Sequence, residues 1–99
     1  MGHLRTPQAE SDLDEIWLYI ANNSGSPELA DRLIDSITSR FVLLASHPSP
    51  GRPRDQDLRP GLRTFAVGNY LIVYRIENGD VRILRILRGS RNIEALFQH

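Results

Sequence analysis

Two segments in the first half of the chain carry apolar residues at helical spacing. One runs from Thr6-Pro7 to about Asn23 and the other from Ser26-Pro27 to near Ser46. Apolar residues recur every three or four positions in both, and a hydroxyl residue followed by proline is a typical helix start. The short link predicts an antiparallel pair. The two buried stripes consist of Ala9, Leu13, Ile16, Trp17, Ile20 and Ala21 and of Ala30, Leu33, Ile34, Ile37, Phe41 and Leu44.

Three strands are predicted in the second half, where apolar and polar residues alternate more closely. They span Leu62–Val67, Tyr70–Ile76 and Val81–Arg88. Gly68-Asn69 and Asn78-Gly79 between them are typical hairpin turns, so the strands form an antiparallel, sequential meander.

The other segments are less regular. Leu4 and Arg5 predict a very short first strand, and four prolines between His47 and Gly61 predict an irregular linker. Ser90–Phe97 predicts a short terminal helix or tail. We therefore expect one α+β domain over residues 1–99, in which the helix hairpin packs on one face of the antiparallel β-meander.

The middle strand has apolar residues on both faces. Alternation predicts one face with Tyr70, Ile72, Tyr74 and Ile76 and the other with Leu71, Val73 and Arg75. The helices can cover only one of them, and antiparallel sheets of this size normally leave the other in water. We therefore expect the apolar residues of the helix-free face to need a partner.

The charges divide the chain into two halves. All 12 basic residues are arginine, and 12 acidic residues bring the formal net charge to zero. Residues 1–45 carry three arginines against seven acidic residues, and residues 46–99 carry nine against five. Zero net charge argues against sequence-independent nucleic-acid binding, which needs a large excess of positive charge. An arginine-bearing sheet instead suits an anionic partner, because guanidinium matches carboxylate and phosphate geometry.

Missing residue types narrow the chemistry. Without lysine the chain has no amine nucleophile, and without cysteine it forms no disulfide or thiolate metal site. Its apolar runs fall short of the ~20 residues that a membrane span requires. We expect a cytoplasmic protein that binds no cofactor, no metal and no membrane.

The histidines and the helical carboxylates show no catalytic pattern. His3, His47 and His99 share no helix or strand spacing, and we interpret all three as exposed and non-catalytic. Asp12 and Glu15 flank the apolar stripe of the first helix. We interpret them as a solvated face.

The aromatic residues also have structural explanations. Tyr70 and Tyr74 share a strand face, where tyrosine more often packs than donates a proton. Trp17 lies in the middle of its stripe and is expected in the core. We therefore predict no catalytic residue.

Some arginines are expected to pair within the chain. Arg82 has Asp80 and Glu77 across its turn, and Arg59 lies among acidic residues of the linker. Arg75 and Arg85 lie in mid-strand, where an unpaired buried charge is costly. Each either pairs with a helix carboxylate or faces a bound partner, and the sequence leaves both alternatives open.

Four motifs in this order resemble the RelE/ParE toxin superfamily, and more closely its ParE branch. The motifs are Ala9-x-x-Asp12-Leu13-x-x-Ile16-Trp17-x-x-Ile20-Ala21, Asp57-Leu58-Arg59-Pro60-Gly61-Leu62-Arg63, Tyr70-x-x-x-Tyr74-Arg75 and Ile83-Leu84-Arg85-x-Leu87-x-Gly89-x-Arg91. The resemblance implies the toxin of a type II toxin-antitoxin pair, neutralised by a cognate antitoxin. ParE relatives arrest growth by poisoning DNA gyrase, whereas RelE relatives cleave messenger RNA on the ribosome.

The arginines would then be the contact residues. An acidic, amphipathic antitoxin segment suits a half-apolar sheet surface with guanidinium groups, and the helix hairpin offers a second docking surface. We expect antitoxin contacts at Arg63, Arg75, Arg85 and Arg88 and target contacts at Arg88 and Arg91. No sequence-specific nucleic-acid binding is expected.

Three functions remain open from the sequence. The missing lysine, and the missing aromatic or imidazole ring after Arg88, favour a gyrase inhibitor over a ribosome-dependent endonuclease. The third alternative is a toxin-derived fold that has lost its toxicity and only binds its partner.

Overall fold

A two-helix layer packs on a five-stranded sheet. The computed structural model describes residues 2–48, 50–55 and 60–89. The elements are β1 (His3–Arg5), α1 (Pro7–Ser24), α2 (Pro27–Ser46), β2 (Arg52–Pro53), β3 (Leu62–Val67), β4 (Tyr70–Glu77) and β5 (Asp80–Arg88). The predicted helix at Ser90–Phe97 lies outside the described residues, as do Arg59, Arg91 and His99.

Both helices begin at the predicted caps. The Thr6 hydroxyl accepts a hydrogen bond from the Ala9 amide at 3.1 Å, and the Ser26 hydroxyl accepts one from the Leu29 amide at 3.2 Å. In each helix proline follows the cap, where its missing N–H is not needed. Gly25 ends α1 in the left-handed conformation, with φ of 69°, so the chain reverses within two residues.

The sheet is mixed rather than purely antiparallel. Its strand order is β1-β5-β4-β3-β2, and the predicted antiparallel pairing of β3, β4 and β5 is confirmed. β1, however, pairs parallel with β5, although the helices and three strands separate the two along the chain. The expected linker also contains β2, which pairs with β3.

The main core lies between the helices and the sheet. Ala9 and Leu13 of α1 meet Ile37, Phe41 and Leu44 of α2 there, so the predicted stripes are confirmed in their main members. The sheet contributes Val67, Tyr70, Ile72, Tyr74, Val81, Ile83 and Ile86.

A second apolar cluster lies on the opposite side of the sheet. Leu62, Val73 and Leu87 form it, with Leu71 and Leu84 packed alongside. The prediction that β4 is apolar on both faces is therefore confirmed. The expectation that this face needs a partner to cover it is wrong for these three residues, which are at most 3% exposed within the chain itself.

One irregularity interrupts the pairing of β4 with β5. Val73 pairs with Arg85 and Tyr74 pairs with Ile83, so Leu84 is an extra residue on β5. This is the arrangement of a β-bulge.

Among the described helices, none is both long and apolar enough to cross a membrane.

Candidate partner-binding surface

The sheet and α1 are joined by a bidentate ion pair between Asp12 and Arg85. Arg85 donates from Nε to Asp12 Oδ2 at 2.8 Å and from Nη2 to Oδ1 at 3.1 Å. The Asp12 Oδ2 also accepts the backbone N–H of Ile86 at 2.9 Å. Of the two alternatives for Arg85, the structure therefore shows the internal pair. The interpretation of Asp12 as solvated is wrong, because its carboxylate is buried against β5.

Electrostatics reinforce this pair. The hydrogen bonds from Arg85 to Asp12 raise the pKa of the guanidinium, while burial works in the opposite direction. The negative charges of Asp12 and Glu15 raise that pKa further. The ion pair with Asp12 therefore favours the charged form of Arg85.

Arg88 has a different environment at the end of β5. Its guanidinium carbon lies 4.9 Å from the centre of the Tyr19 ring, a cation–π contact. Both side chains border a pocket of about 160 Å³ between α1 and β5. The pocket is lined by Asp12, Glu15, Ile16, Tyr19, Tyr70, Ile86 and Arg88. The sequence analysis missed Tyr19, which is 47% exposed and lies outside the predicted apolar stripe of α1.

Arg75 and Arg82 form a third basic position on the helix-free side. They are direct cross-strand neighbours, and both contact the carboxylate of Glu77. Arg75 Nε lies 3.5 Å from Glu77 Oε1 and Arg82 Nη1 lies 3.4 Å from Oε2. The prediction that Arg82 pairs with Asp80 or Glu77 is confirmed, with Glu77 as the partner. Two facing guanidinium groups thus share one carboxylate on an exposed surface, which leaves an excess positive charge there.

Arg63 is associated with the buried ring of Tyr74. Burial raises the pKa of the Tyr74 hydroxyl, and hydrogen bonding and positive charge from Arg63 oppose that effect. The hydroxyl donates to the carbonyl of Pro48 at 2.7 Å. Tyr74 therefore packs in the core, as expected, and it also anchors the linker at Pro48.

Two other interpretations need correction. His3 is not fully exposed, because its ring makes an edge contact with Phe41 at 5.7 Å between ring centres. Burial and the neighbouring Arg5 lower its pKa. Trp17 is not in the main core but partly exposed between the helices, where its indole N–H donates to Asp31 at 2.7 Å.

The structure thus separates the predicted contact residues. Arg88 lies on the helix side of the sheet, Arg75 on the opposite side, and Arg63 and Arg85 have contacts within the chain. Among the described residues, no group of three or more His, Cys, Asp and Glu side chains could hold a metal ion.

Comparison with known proteins establishes the family. Residues 4–93 match the family model of the ParE toxin of the type II toxin-antitoxin system, parDE. The chain belongs to the ParE toxin family. It is 41% identical over 92 residues to Toxin ParE3 of Caulobacter vibrioides, and the matched region covers 93% of this chain and 90% of that protein. It is also 35% identical over 88 residues to Toxin ParE1 of the same organism, covering 89% of this chain and 88% of that protein.

A solved structure agrees with this ParE fold. This structure is of the chromosomal ParDE TA system from P. aeruginosa, and it superposes with a TM-score of 0.77 at 28% identity. The match covers 89% of this chain and 95% of the other. The predicted family and α+β fold class are thereby confirmed.

Proposed function

We propose that this ParE-family chain arrests growth by binding DNA gyrase, without catalysis of its own, and that a cognate antitoxin neutralises it. The family match supports the toxin class, and the similarity to a structure of a ParDE system supports a protein antitoxin. The gyrase target rests on the resemblance to the ParE branch.

The observation that supports binding without catalysis is that the buried acid–base groups Tyr74 and Asp12 are hydrogen-bonded within the chain. RNA cleavage needs positioned groups that accept and donate protons. The Tyr74 hydroxyl of β4 is buried and donates to Pro48, while the Asp12 carboxylate of α1 is held by Arg85 and Ile86. These side chains are structural, which favours an inhibitor over a nuclease.

The donor groups of the exposed arginines support the proposed antitoxin contacts. The cross-strand pair Arg75 and Arg82 shares a single carboxylate, so an acidic antitoxin side chain would relieve the repulsion between them. Arg88 presents a guanidinium group beside a partly apolar pocket. Arg85 contributes less directly, because two of its nitrogens already bond to Asp12.

A two-target assay tests the proposed function. Purified chain is added to DNA gyrase with relaxed plasmid and, separately, to a translating extract with labelled messenger RNA. We expect loss of supercoiling and intact RNA, and we expect added antitoxin to restore supercoiling. RNA cleavage with unaffected gyrase would contradict the proposal, and no growth arrest in cells lacking antitoxin would indicate a toxin-derived binding protein.

A second candidate is favoured by one observation, the convergence of Glu15, Tyr19 and Arg88 around the same pocket. A carboxylate, a phenol and a guanidinium are groups with which a ribosome-dependent endonuclease could work. Glu15→Gln separates the two functions. A nuclease would lose most of its activity, whereas an inhibitor that contacts its target through Arg88 would keep it.

A further inference from the structure

The β-bulge in β5 reverses the side-chain alternation of that strand. Val81 and Ile83 face the helices, and a regular strand would continue with residues 85 and 87 on that side. Instead Ile86 lies in the main core and Leu87 in the opposite cluster. The extra residue Leu84 therefore turns the even-numbered positions toward the helices.

Arg88 owes its position to this reversal. Without the bulge it would emerge on the helix-free side with Leu84, away from α1. With the bulge it shares a face with Ile86 and lies over the Tyr19 ring.

The N-cap residue Thr6 and Asp12 of α1 form hydrogen bonds with backbone groups at the bulge. The Thr6 hydroxyl donates to the Leu84 carbonyl at 2.8 Å, and Asp12 accepts the Ile86 N–H. Asp12 also holds Arg85, the residue between them. A one-residue slip of β5 would leave the buried Asp12 carboxylate without these donors, which is costly.

The contact between Asp12 and Ile86 also determines which residues of α1 and β5 meet towards the end of β5. Tyr19 follows Asp12 by seven residues, two turns along one side of α1 and about 10 Å at 1.5 Å per residue. Arg88 follows Ile86 by two residues on the same face of β5. Fixing Asp12 against Ile86 thus brings Tyr19 and Arg88 together.

We infer that Asp12 is a positioning residue for Arg88, acting through Arg85, the Ile86 amide and the bulge they stabilise. The functional part rests on the proposed role of Arg88 as a contact to the target or the antitoxin. The positional part concerns only where Arg88 lies and is measured without either partner.

The positional part is tested by NMR on the full chain. In the wild type we expect nuclear Overhauser contacts between the Tyr19 ring and the Arg88 side chain, and slow exchange of the Ile86 amide. Asp12→Ala should lose both, whereas Asp14→Ala, at an exposed position on the same helix, should keep both. Retained Tyr19–Arg88 contacts in Asp12→Ala would overturn the inference. If Asp12→Ala does not fold, Asp12→Asn, which preserves the side-chain volume, takes its place and is expected to weaken the contacts.

The functional part is tested by a double-mutant cycle. Growth arrest and antitoxin affinity are measured for Asp12→Ala, Arg88→Ala and the double variant, each corrected for its folded fraction. We expect each single change to reduce them at least tenfold and the double variant to be no worse than Arg88→Ala within about twofold. Losses that multiply would show that Asp12 acts independently of Arg88. If the wild type does not inhibit gyrase, the proposed target is wrong, and the NMR result still decides the position of Arg88.

Discussion

Replacing Arg85 by lysine tests whether the geometry of guanidinium, rather than positive charge alone, holds α1 on the sheet. Arg85 donates from two nitrogens to the two oxygens of Asp12, at 2.8 and 3.1 Å, in a partly buried site. A lysine ammonium is a single point of charge and cannot form this planar, two-bond contact. Hydrogen bonds to charged groups contribute about 1.5–3 kcal/mol each, and partial exposure reduces that value. We therefore expect Arg85→Lys to lower the free energy of unfolding by about 1–2 kcal/mol.

Arg82→Lys is the matched control for this change. Arg82 pairs with Glu77 through one 3.4 Å contact at the surface, and exposed pairs of that kind contribute about 0–1 kcal/mol. In a domain of this size 1 kcal/mol corresponds to roughly 4–8 °C in melting temperature. Thermal denaturation followed by circular dichroism should show a clear decrease for Arg85→Lys and almost none for Arg82→Lys. Equal melting temperatures of the two variants would refute the argument.

Two further predictions concern packing and pH. A Cβ atom at Gly51 would lie 2.5 and 2.6 Å from Cζ and Cε1 of Tyr74, so Gly51→Ala should displace the buried ring. We expect urea denaturation to show a loss of about 2–3 kcal/mol in the free energy of unfolding. Gly2→Ala is the control, because Gly2 has open space around it and its substitution should leave stability unchanged. Because burial and Arg5 lower the pKa of His3 in the folded chain, the unfolded chain binds this proton more tightly. The contribution of His3 to stability should therefore be fully present above its ordinary pKa of 6.5 and decrease as the pH falls below that value. His3→Gln should remove this component of the pH dependence, and an unchanged profile would contradict the assignment to His3.

Local sequence signals predicted most of the fold. Helix caps at Thr6 and Ser26 and the hairpin turns act over three or four residues, so the pattern alone locates them. Periodicity also identified the buried sides of both helices and the two-sided character of β4. These features depend on neighbours along the chain, which a single sequence displays.

Features set by contacts distant in sequence were missed. The parallel pairing of β1 with β5 joins the first and the last described strands, and β2 is defined by its pairing with Arg63 and Thr64 of β3. The bulge has a partial sequence signal, since Ile83-Leu84 and Ile86-Leu87 are two adjacent apolar pairs that break strict alternation. That signal shows an irregularity but not the residue at which it occurs.

The different environments of Arg75 and Arg85 could not be predicted from the sequence. Both are mid-strand arginines with apolar neighbours, and the sequence treats them alike. Arg85 meets a carboxylate 73 positions away, whereas Arg75 meets Glu77 within its own strand and shares it with another arginine. The first arrangement satisfies its charges within the chain, and the second leaves an excess guanidinium at the surface. We therefore expect an acidic partner to gain more electrostatic free energy beside Arg75 than beside Arg85, although both residues belong to the same arginine pattern.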